Sequence, residues 1–346
     1  MHKIFSKVDQ IKNNWDIEGI SPFLQINFLK CFVSSHPKIK HFFIKENSLR
    51  FYFQIIKLDF KRVSNYINYP FVKFFLACFR INVLYFSNTF LTNINSFFST
   101  DKFNLEDIIL KMNHAFSMVI VPETLEDSIS SINYKKIEVE EDMVLNVKSN
   151  WNDFDDYLYS LRSKYRKKIK NILILGKDVR IDVLTSKDFK YYEVEIQKLF
   201  DQIIDSSKFN GPKFNVKALH SLINSGYIKV YGYFVNKELI AFSTEMEDDT
   251  VLYSYYVGFK KTFNNSHAIY GRILIETIRH AINQNKASLV LGRTANEFKS
   301  NFGAEPKKSF IYVRFTNIIL NFLLSPFVKL ARPSIWIQRH PFKANT

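Results

Sequence analysis

The sequence predicts a mixed α/β fold built from two similar halves. Strand-like and helix-like segments alternate along the chain, and the second half runs helix, strand, helices, three strands, helix, strand, strand. The first half repeats this order more weakly, and such an order is typical of a mixed sheet covered by helices. Each half of the 346 residues has an ordinary domain size. We therefore expect domains at 1–150 and 151–316, followed by a C-terminal tail at 317–346.

Aromatic and β-branched residues mark the strands of the first half. We place them at 49–58, 81–87 and 117–122, with one or two more between 134 and 147. Between 104 and 116, apolar residues recur at helical spacing behind Asn104, a residue type that caps helix N-termini. This segment is predicted to be a helix.

The second half opens with an amphipathic helix predicted over 151–173, which has acidic residues in its first turns and basic residues after them. Asn-Lys and Asp-Asp turns, short enough for hairpins, join the three consecutive strands. The elements after the opening helix are a strand at 179–184, helices at 188–205 and 216–226, strands at 227–235, 238–247 and 250–259, a helix at 267–284, a strand at 288–292, a short helix near Phe298 and Phe302, and a strand at 309–316.

Charge is unevenly distributed along the chain. The formal net charge is +15, and residues 251–346 carry 14 basic and only 3 acidic residues. A local positive field attracts phosphates, nucleic acid or an anionic membrane surface, and it does not choose among them.

Cys31 and Cys78 are the only cysteines, and neither lies in a metal-ligand or disulfide pattern. No metal site is expected. The N-terminus lacks the apolar core of a signal peptide, and no apolar run is long enough for a transmembrane helix. We expect a cytoplasmic protein, or one peripheral at the inner face of the membrane.

Three basic residues of the 151–173 segment lie on one helical stripe, because Arg162, Arg166 and Lys170 are four residues apart. One interpretation is a solvated basic face. The other is an anion-binding ridge, since an arginine fork holds phosphate or carboxylate with two hydrogen bonds.

The third strand of the meander is rich in tyrosine. By alternation, Tyr253, Tyr255 and Phe259 fall on one face and Tyr256 on the other. Glu245, in the preceding strand, is a candidate general base if it is buried, and an ordinary exposed residue near a turn if it is not.

The segment "GRTANEFKSNFGAEP" (292–306) combines a helix end with unexplained charges. Gly303 and Pro306 are accounted for as a C-cap and a helix stop. Arg293, however, follows a buried strand, which is a common place for a site in α/β folds. Lys299 is compatible with either a surface position or a site.

Three segments, in order, resemble the Fem-type branch of the GNAT acyltransferase superfamily. They are "FDDYLYSLRSKYRKKIK", "VLYSYYVGF" and "LVLGRTANEFKSNFGAEP". The resemblance spans residues 142–316 and, more faintly, the whole chain as tandem GNAT folds with a degenerate N-terminal copy. It implies transfer of an acyl or aminoacyl group to an amine, on an acceptor such as a cell-envelope precursor.

The resemblance also implies roles for individual residues. Lys299 stands at the lysine of the family's F-K-x-x-F-G element and Arg166 at its basic helix position. The family's aromatic strand falls on Tyr255 or Tyr256. We take Lys299, Glu245 and Tyr255 as catalytic candidates. The expected substrate-binding residues are Arg162, Arg166, Lys170, Tyr253, Tyr256 and Arg293.

The sequence does not determine which acyl donor is used. Acyl-CoA-using relatives carry a glycine-rich pyrophosphate loop, whereas this chain has "KKTFNNSHAIYG". Lys260, Lys261, Asn265 and Ser266 are the candidate contacts to a donor. No permanently bound cofactor is expected, and acyl-CoA, an acyl carrier or aminoacyl-tRNA could each serve as co-substrate.

The tail at 318–346 is basic and aromatic, without an acidic residue. It could lie on an anionic membrane surface or pack back on the domain. The alternative to an enzyme is a non-catalytic protein that binds polyanions, meaning nucleic acid or anionic lipid.

Overall fold

The chain forms two compact units, each assembled from separate stretches of sequence. The structure, a computed structural model, describes residues 3–11, 14–59, 80–206, 212–322 and 335–344. Unit 1 consists of Met1–Glu140, Lys208–Asn215 and Lys308–Pro333. Unit 2 consists of Glu141–Ser207, Val216–Lys307 and Ser334–Thr346. The domain limits expected at 150 and 316 stay a prediction.

Unit 1 is built around a long, almost fully buried strand of aromatic and aliphatic residues, β3. It pairs with β2 through a tight turn in which Asn47 has a φ of 42°. The elements are β1 (Ile4–Phe5), α1 (Ile26–Ser35), β2 (Lys40–Glu46), β3 (Leu49–Asp59), β4 (Arg80–Tyr85), β5 (Phe97–Phe98), α2 (Leu105–Leu110) and β6 (Met118–Pro122). Short 3-10 turns cover Val8–Ile11, Pro22–Leu24, Glu123–Ser128 and Ser131–Asn133.

Two strands carry the chain between the units, β7 (Lys135–Asn146) and β13 (Glu305–Phe315). The elements of unit 2 are α3 (Phe154–Ser160), α4 (Ser163–Leu175), β8 (Arg180–Val183), α5 (Ser186–Ser206), α6 (Ala218–Asn224), β9 (Lys229–Val235), β10 (Glu238–Glu247), β11 (Val251–Phe259), α7 (Lys261–His267), α8 (Ile269–Asn283), β12 (Ser288–Val290) and α9 (Asn296–Ser300). Asn236 and Lys237 both have positive φ, which confirms the predicted hairpin between β9 and β10.

The same strand arrangement occurs in both units. Unit 1 has the order β1-β2-β3-β4-β6-β13, and unit 2 has β8-β9-β10-β11-β12-β7. In each unit an antiparallel run is followed by one parallel pair, β4 with β6 or β11 with β12, and then by an antiparallel final strand. Each final strand is distant in sequence from the strand that it pairs with. This repetition agrees with the predicted tandem fold.

Separate apolar clusters fill the units. In unit 1, Phe51, Phe53 and Phe86 are fully buried and pack ring against ring. In unit 2, α8 is the central helix, and its residues Ile275 and Ile278 pack with buried residues of α3 and α4. Gly271 of α8 lets the helix approach α4, because a Cβ there would lie 2.8 Å from Ile172 Cδ1.

The single helix predicted over 151–173 is wrong, because the chain is extended at Leu161 and Arg162. Leu161 forms an antiparallel bridge with Phe342, and the Arg162 N–H donates to the Pro341 carbonyl at 2.8 Å. The C-terminal segment therefore separates α3 from α4 by offering a main-chain partner.

Two other helices also differ from the prediction. The helix expected at 104–116 ends at Leu110, although Asn104 does cap it by accepting from the Glu106 N–H. The helix expected at 267–284 is preceded by α7 and begins after Ala268, whose φ is 48°.

Candidate functional site

The tyrosine-rich strand β11 carries a β-bulge. Ser243 of β10 lies opposite Val257, and Glu245, two residues on, lies opposite Ser254, so β11 contains one extra residue. The Tyr256 N–H donates to Thr244 Oγ1 at 2.7 Å inside this bulge. A bulge re-aims the side chains around it.

The bulge brings two tyrosines together that strict alternation would separate. The rings of Tyr255 and Tyr256 lie 5.5 Å apart, and Tyr256 also contacts Phe200 of α5. Phe259 instead packs in the cluster that contains Ile269 and Ile273 of α8. The expectation that Tyr255 shares a face with Phe259 and not with Tyr256 is therefore wrong, because the extra residue shifts the alternation.

The parallel pairing of β11 with β12 is short. It runs from Val251–Ser288 to Tyr253–Val290, whereas β11 continues to Phe259. Tyr253 has its hydroxyl 3.2 Å from Asp248 Oδ2, where it donates a hydrogen bond. The two strands thus stop pairing just before the bulge, and the candidate site lies at this point.

The loop after β12 has an unusual backbone. Gly292, Thr294 and Ala295 have φ values of 70°, 74° and 51°. Lys299 of α9 supports this loop, because its Nζ donates to the carbonyls of Gly292 and Arg293, both at 3.0 Å. The side chain of Lys299 is buried, with the residue only 3% exposed. The lysine thus faces main-chain carbonyls at the candidate site.

A partly buried ion pair adjoins the tyrosines. Arg293 Nε lies 3.5 Å from Asp142 Oδ1, and Asp142 is on β7. Burial, the neighbouring Tyr256 phenol and the Asp142 carboxylate raise the pKa of Tyr255 well above 10. The phenol therefore keeps its proton at neutral pH and can donate a hydrogen bond. Asp142 was not among the expected site residues, although an acid directly before the apolar run "MVLNV" was the signal for it.

Glu245 is buried, as its candidacy as a base requires, and its carboxylate has a partner. His280 Nδ1 lies 2.9 and 3.0 Å from the two carboxylate oxygens. Tyr231 stacks on the His280 ring, with 4.6 Å between ring centroids. Although Glu245 pairs with Ser254 along the backbone, its contacts are on the α8 side of the sheet.

The expected donor-binding residues lie in the short helix α7 of unit 2 and at its N-cap position. Lys260 is the N-cap residue and forms an ion pair with Glu238, while Lys261, Asn265 and Ser266 are exposed. Ser266 Oγ lies 2.7 Å from His267 Nδ1. The four residues are near one another in the chain, and their role as donor contacts stays a prediction.

The basic stripe of α4 is only partly formed. Arg162 is the extended residue before the helix, whereas Arg166 and Lys170 are helical. A cavity of about 560 Å³ lies beside this helix, and the helical residues that line it are Lys164, Tyr165 and Lys168. None of these three residues was among the expected site residues.

Described residues of the tail pack on unit 2. Besides the bridge at Phe342, Trp336 Nε1 donates to Glu141 Oε2 at 3.1 Å and Arg339 pairs with Glu297. Phe342 also explains Gly303, because a Cβ on that glycine would lie 2.2 Å from the phenyl ring. Phe327, Lys329 and Arg332 lie outside the described residues.

Within the described ranges, no cluster of three or more His, Cys, Asp or Glu side chains is arranged to hold a metal ion. Of the helices that these ranges contain, none combines the length and the apolar composition needed to cross a bilayer.

A family model covers the part of unit 2 that holds this site. Residues 160–300 match the model described as "Acetyltransferase (GNAT) domain". These residues form a GNAT acetyltransferase domain. The matched residues include the bulged strand, the loop after β12 and Lys299. Because of this family match the chain is a transferase enzyme, and the expected acyltransferase class is confirmed.

Solved structures resemble this chain over nearly its whole length. FemX has a TM-score of 0.54 at 10% identity, covering 93% of this chain and 100% of its own. L-PGS from Bacillus licheniformis has a TM-score of 0.53 at 11% identity, covering 90% and 99%. A conserved protein of unknown function from Bacteroides thetaiotaomicron VPI-5482 has a TM-score of 0.53 at 8% identity, covering 91% and 100%. No curated protein sequence matches significantly. At these identities the likeness shows the fold alone, and it agrees with the predicted tandem arrangement.

Proposed function

We propose that unit 2 transfers an acyl or aminoacyl group from an activated carrier to an amine at the bulge of β11. The observation that carries the proposal is the group formed by Tyr255, Asp142 and Arg293 where β11 and β12 stop pairing. An open strand end beside a phenol, a carboxylate and a guanidinium supplies hydrogen-bond donors and a proton acceptor.

The chemistry follows from these groups. The amine nitrogen attacks the acyl carbon, and a C–S or C–O bond to the carrier breaks after an oxyanion has formed. The Tyr255 phenol, which keeps its proton, donates to that oxyanion. The amine proton passes to a carboxylate and from there to the departing sulfur or oxygen. A single hydrogen-bond donor to an oxyanion contributes roughly 10²–10³ in kcat.

Two carboxylates are candidates for the base. The Glu245 side chain is 1% exposed and held by His280, whereas the Asp142 side chain is 12% exposed beside Arg293. Because the acceptor amine must reach the base directly or through one water, the greater accessibility favours Asp142. Glu245 stays the alternative that was expected from the sequence.

Transfer assays on the full chain test the proposal, with acyl-CoA and aminoacyl-tRNA as donors and a panel of amine acceptors. Tyr255→Phe should lower kcat about 100-fold or more, while Tyr159→Phe, at an exposed tyrosine of the same unit, should leave it unchanged. Asp142→Asn and Glu245→Gln distinguish the two candidate bases, because only the substitution of the base itself should abolish proton transfer from the amine. Full activity in Tyr255→Phe would exclude the proposed site.

We also propose that the enzyme meets its acceptor at an anionic membrane surface. Ile318 and Phe322 of the tail are 82% and 80% exposed, although the residues from 335 to 344 pack on unit 2. Apolar side chains followed by basic residues favour such a surface. Phe322→Glu should weaken sedimentation with anionic vesicles, and Leu110→Glu, at an equally exposed residue, should not.

A further inference from the structure

The cavity beside α4 has a positive lining. Lys164 and Lys168 contribute to it from α4, Glu297 and Phe298 from α9, and Arg339 from the C-terminal segment. All of these residues belong to unit 2. Three cations therefore face one acid across a space of about 560 Å³, large enough for a substrate group.

The one acid in the lining is already paired. Glu297 forms its ion pair with Arg339, so its charge is offset locally. Among the described residues, neither Lys164 nor Lys168 forms an ion pair. Partial burial, and then the charges of Arg339 and Lys164, lower the pKa of Lys168. Like charges held together cost free energy, and an anion in the cavity would offset that cost.

Aromatic rings connect the cavity with the end of β11. Lys168 Nζ lies 5.1 Å from the centroid of the Phe298 ring. Phe298 packs on Tyr270, and Tyr270 stacks on Phe259, the last residue of β11, with 5.5 Å between ring centroids at both contacts. A ligand in the cavity is therefore two ring contacts away from the strand that carries the candidate site.

We propose that this cavity is a binding site for a phosphate-bearing ligand. Lys164 and Lys168 supply ammonium donors for phosphate oxygens, and the Tyr165 and Phe298 rings supply apolar walls beside them. That the ligand is a substrate of acyl transfer rests on the proposed function, whereas the binding of phosphate does not.

Calorimetric titration of the full chain with inorganic pyrophosphate tests the binding. The double variant Lys164→Gln/Lys168→Gln should bind pyrophosphate at least about ten-fold more weakly than the unmodified protein. The control Lys167→Gln/Lys177→Gln removes the same charge at exposed positions and should stay within about two-fold. Circular dichroism checks folding, and Lys164→Gln alone should give an intermediate loss. Absence of pyrophosphate binding, or an equal loss in the control, overturns the proposal.

Two competitors separate the sources of the phosphate. Displacement of pyrophosphate by coenzyme A places the donor's phosphates in the cavity, and displacement by UDP places those of a nucleotide-linked acceptor there. Direct titration with the displacing competitor should show the same loss of binding in Lys164→Gln/Lys168→Gln, and binding that persists there overturns the assignment. If pyrophosphate binds as expected while no transfer occurs with any donor, the proposed function fails and the phosphate site stands.

Discussion

A buried cation organises the loop next to the candidate site. Because Lys299 donates to two main-chain carbonyls, we infer that it positions Arg293 through the loop backbone. Lys299→Met should lower the free energy of unfolding by about 2–4 kcal/mol, since hydrogen bonds to a charged group contribute roughly 1.5–3 kcal/mol each and are not additive. Urea denaturation, followed by tryptophan emission, measures the loss.

Lys307→Met, at an exposed lysine of β13, is the matched control and should change stability little. If Lys299→Met keeps its stability and loses only transfer activity, Lys299 contacts substrate instead, as its selection as a catalytic candidate from the sequence requires. The sequence identified Lys299 as special, but only the contacts distinguish a loop-supporting lysine from a substrate-binding one.

Two glycines allow the steric demand of the tail to be measured separately from backbone strain. Gly303 and Gly226 have φ values of 92° and 72°, so alanine is strained at both. Only at Gly303 would the new Cβ meet a ring, that of Phe342, while nothing lies within 4 Å of Gly226. Gly303→Ala should therefore lower Tm by several degrees more than Gly226→Ala, as measured by differential scanning fluorimetry. Equal decreases in Tm would mean that Phe342 moves away from the new Cβ without loss of stability.

At the scale of elements, the break between α3 and α4 predicts that proline is tolerated at the first residue of α4. Ser163 is the first residue of α4, and Arg162 before it has φ −61° and ψ 147°, the conformation that a following proline requires. Ser163→Pro should therefore be neutral or stabilise by up to about 1 kcal/mol. In a continuous helix the same change would cost about 3 kcal/mol or more.

Lys167→Pro, inside α4, provides the comparison and should lose that larger amount. Equilibrium unfolding in urea measures both variants. A loss in Ser163→Pro as large as that in Lys167→Pro would show that the helix runs on through residue 162 in solution.

Local patterns predicted most elements of unit 2, and the errors have identifiable causes. The strands at 238–247 and 251–259 follow from their aromatic and β-branched composition. Periodicity alone missed the break at Leu161, because the partner that extends the chain there is Pro341, far along the sequence. It also missed the bulge at Tyr255, because an extra residue is visible only in the pairing with β10.

At the scale of the whole molecule, the repeated strand order agrees with the two similar halves expected from the sequence. The exchange of final strands was not foreseen, since β13 completes the sheet of unit 1 and β7 that of unit 2. Sequence order predicts neighbours well only when consecutive strands pair. Asp142 was missed for the same reason, because β7 precedes the rest of unit 2 in the chain and lies beside β12 in the sheet.

Unit 1 contains a buried histidine that should make its stability depend on pH. His36 Nε2 accepts from the Asn215 N–H at 2.9 Å, and its Nδ1 lies 2.8 Å from the Phe32 carbonyl. Burial lowers the pKa of His36 from 6.5 to about 4. The unfolded chain therefore binds a proton at a higher pH than the folded unit, and acid favours unfolding.

The free energy of unfolding of unit 1 should thus be independent of His36 above pH 6.5 and fall as the pH drops toward 4, by up to about 3 kcal/mol. Urea denaturation of Trp151→Phe/Trp336→Phe, in which the buried Trp15 is the remaining tryptophan, reports on unit 1 alone. Adding His36→Phe should reduce the change in unfolding free energy between pH 6.5 and 4. Adding His114→Gln should leave that change as it is. Burial also lowers the pKa of His41, so some slope should persist. An unchanged slope in His36→Phe would assign the acid sensitivity to other groups of unit 1.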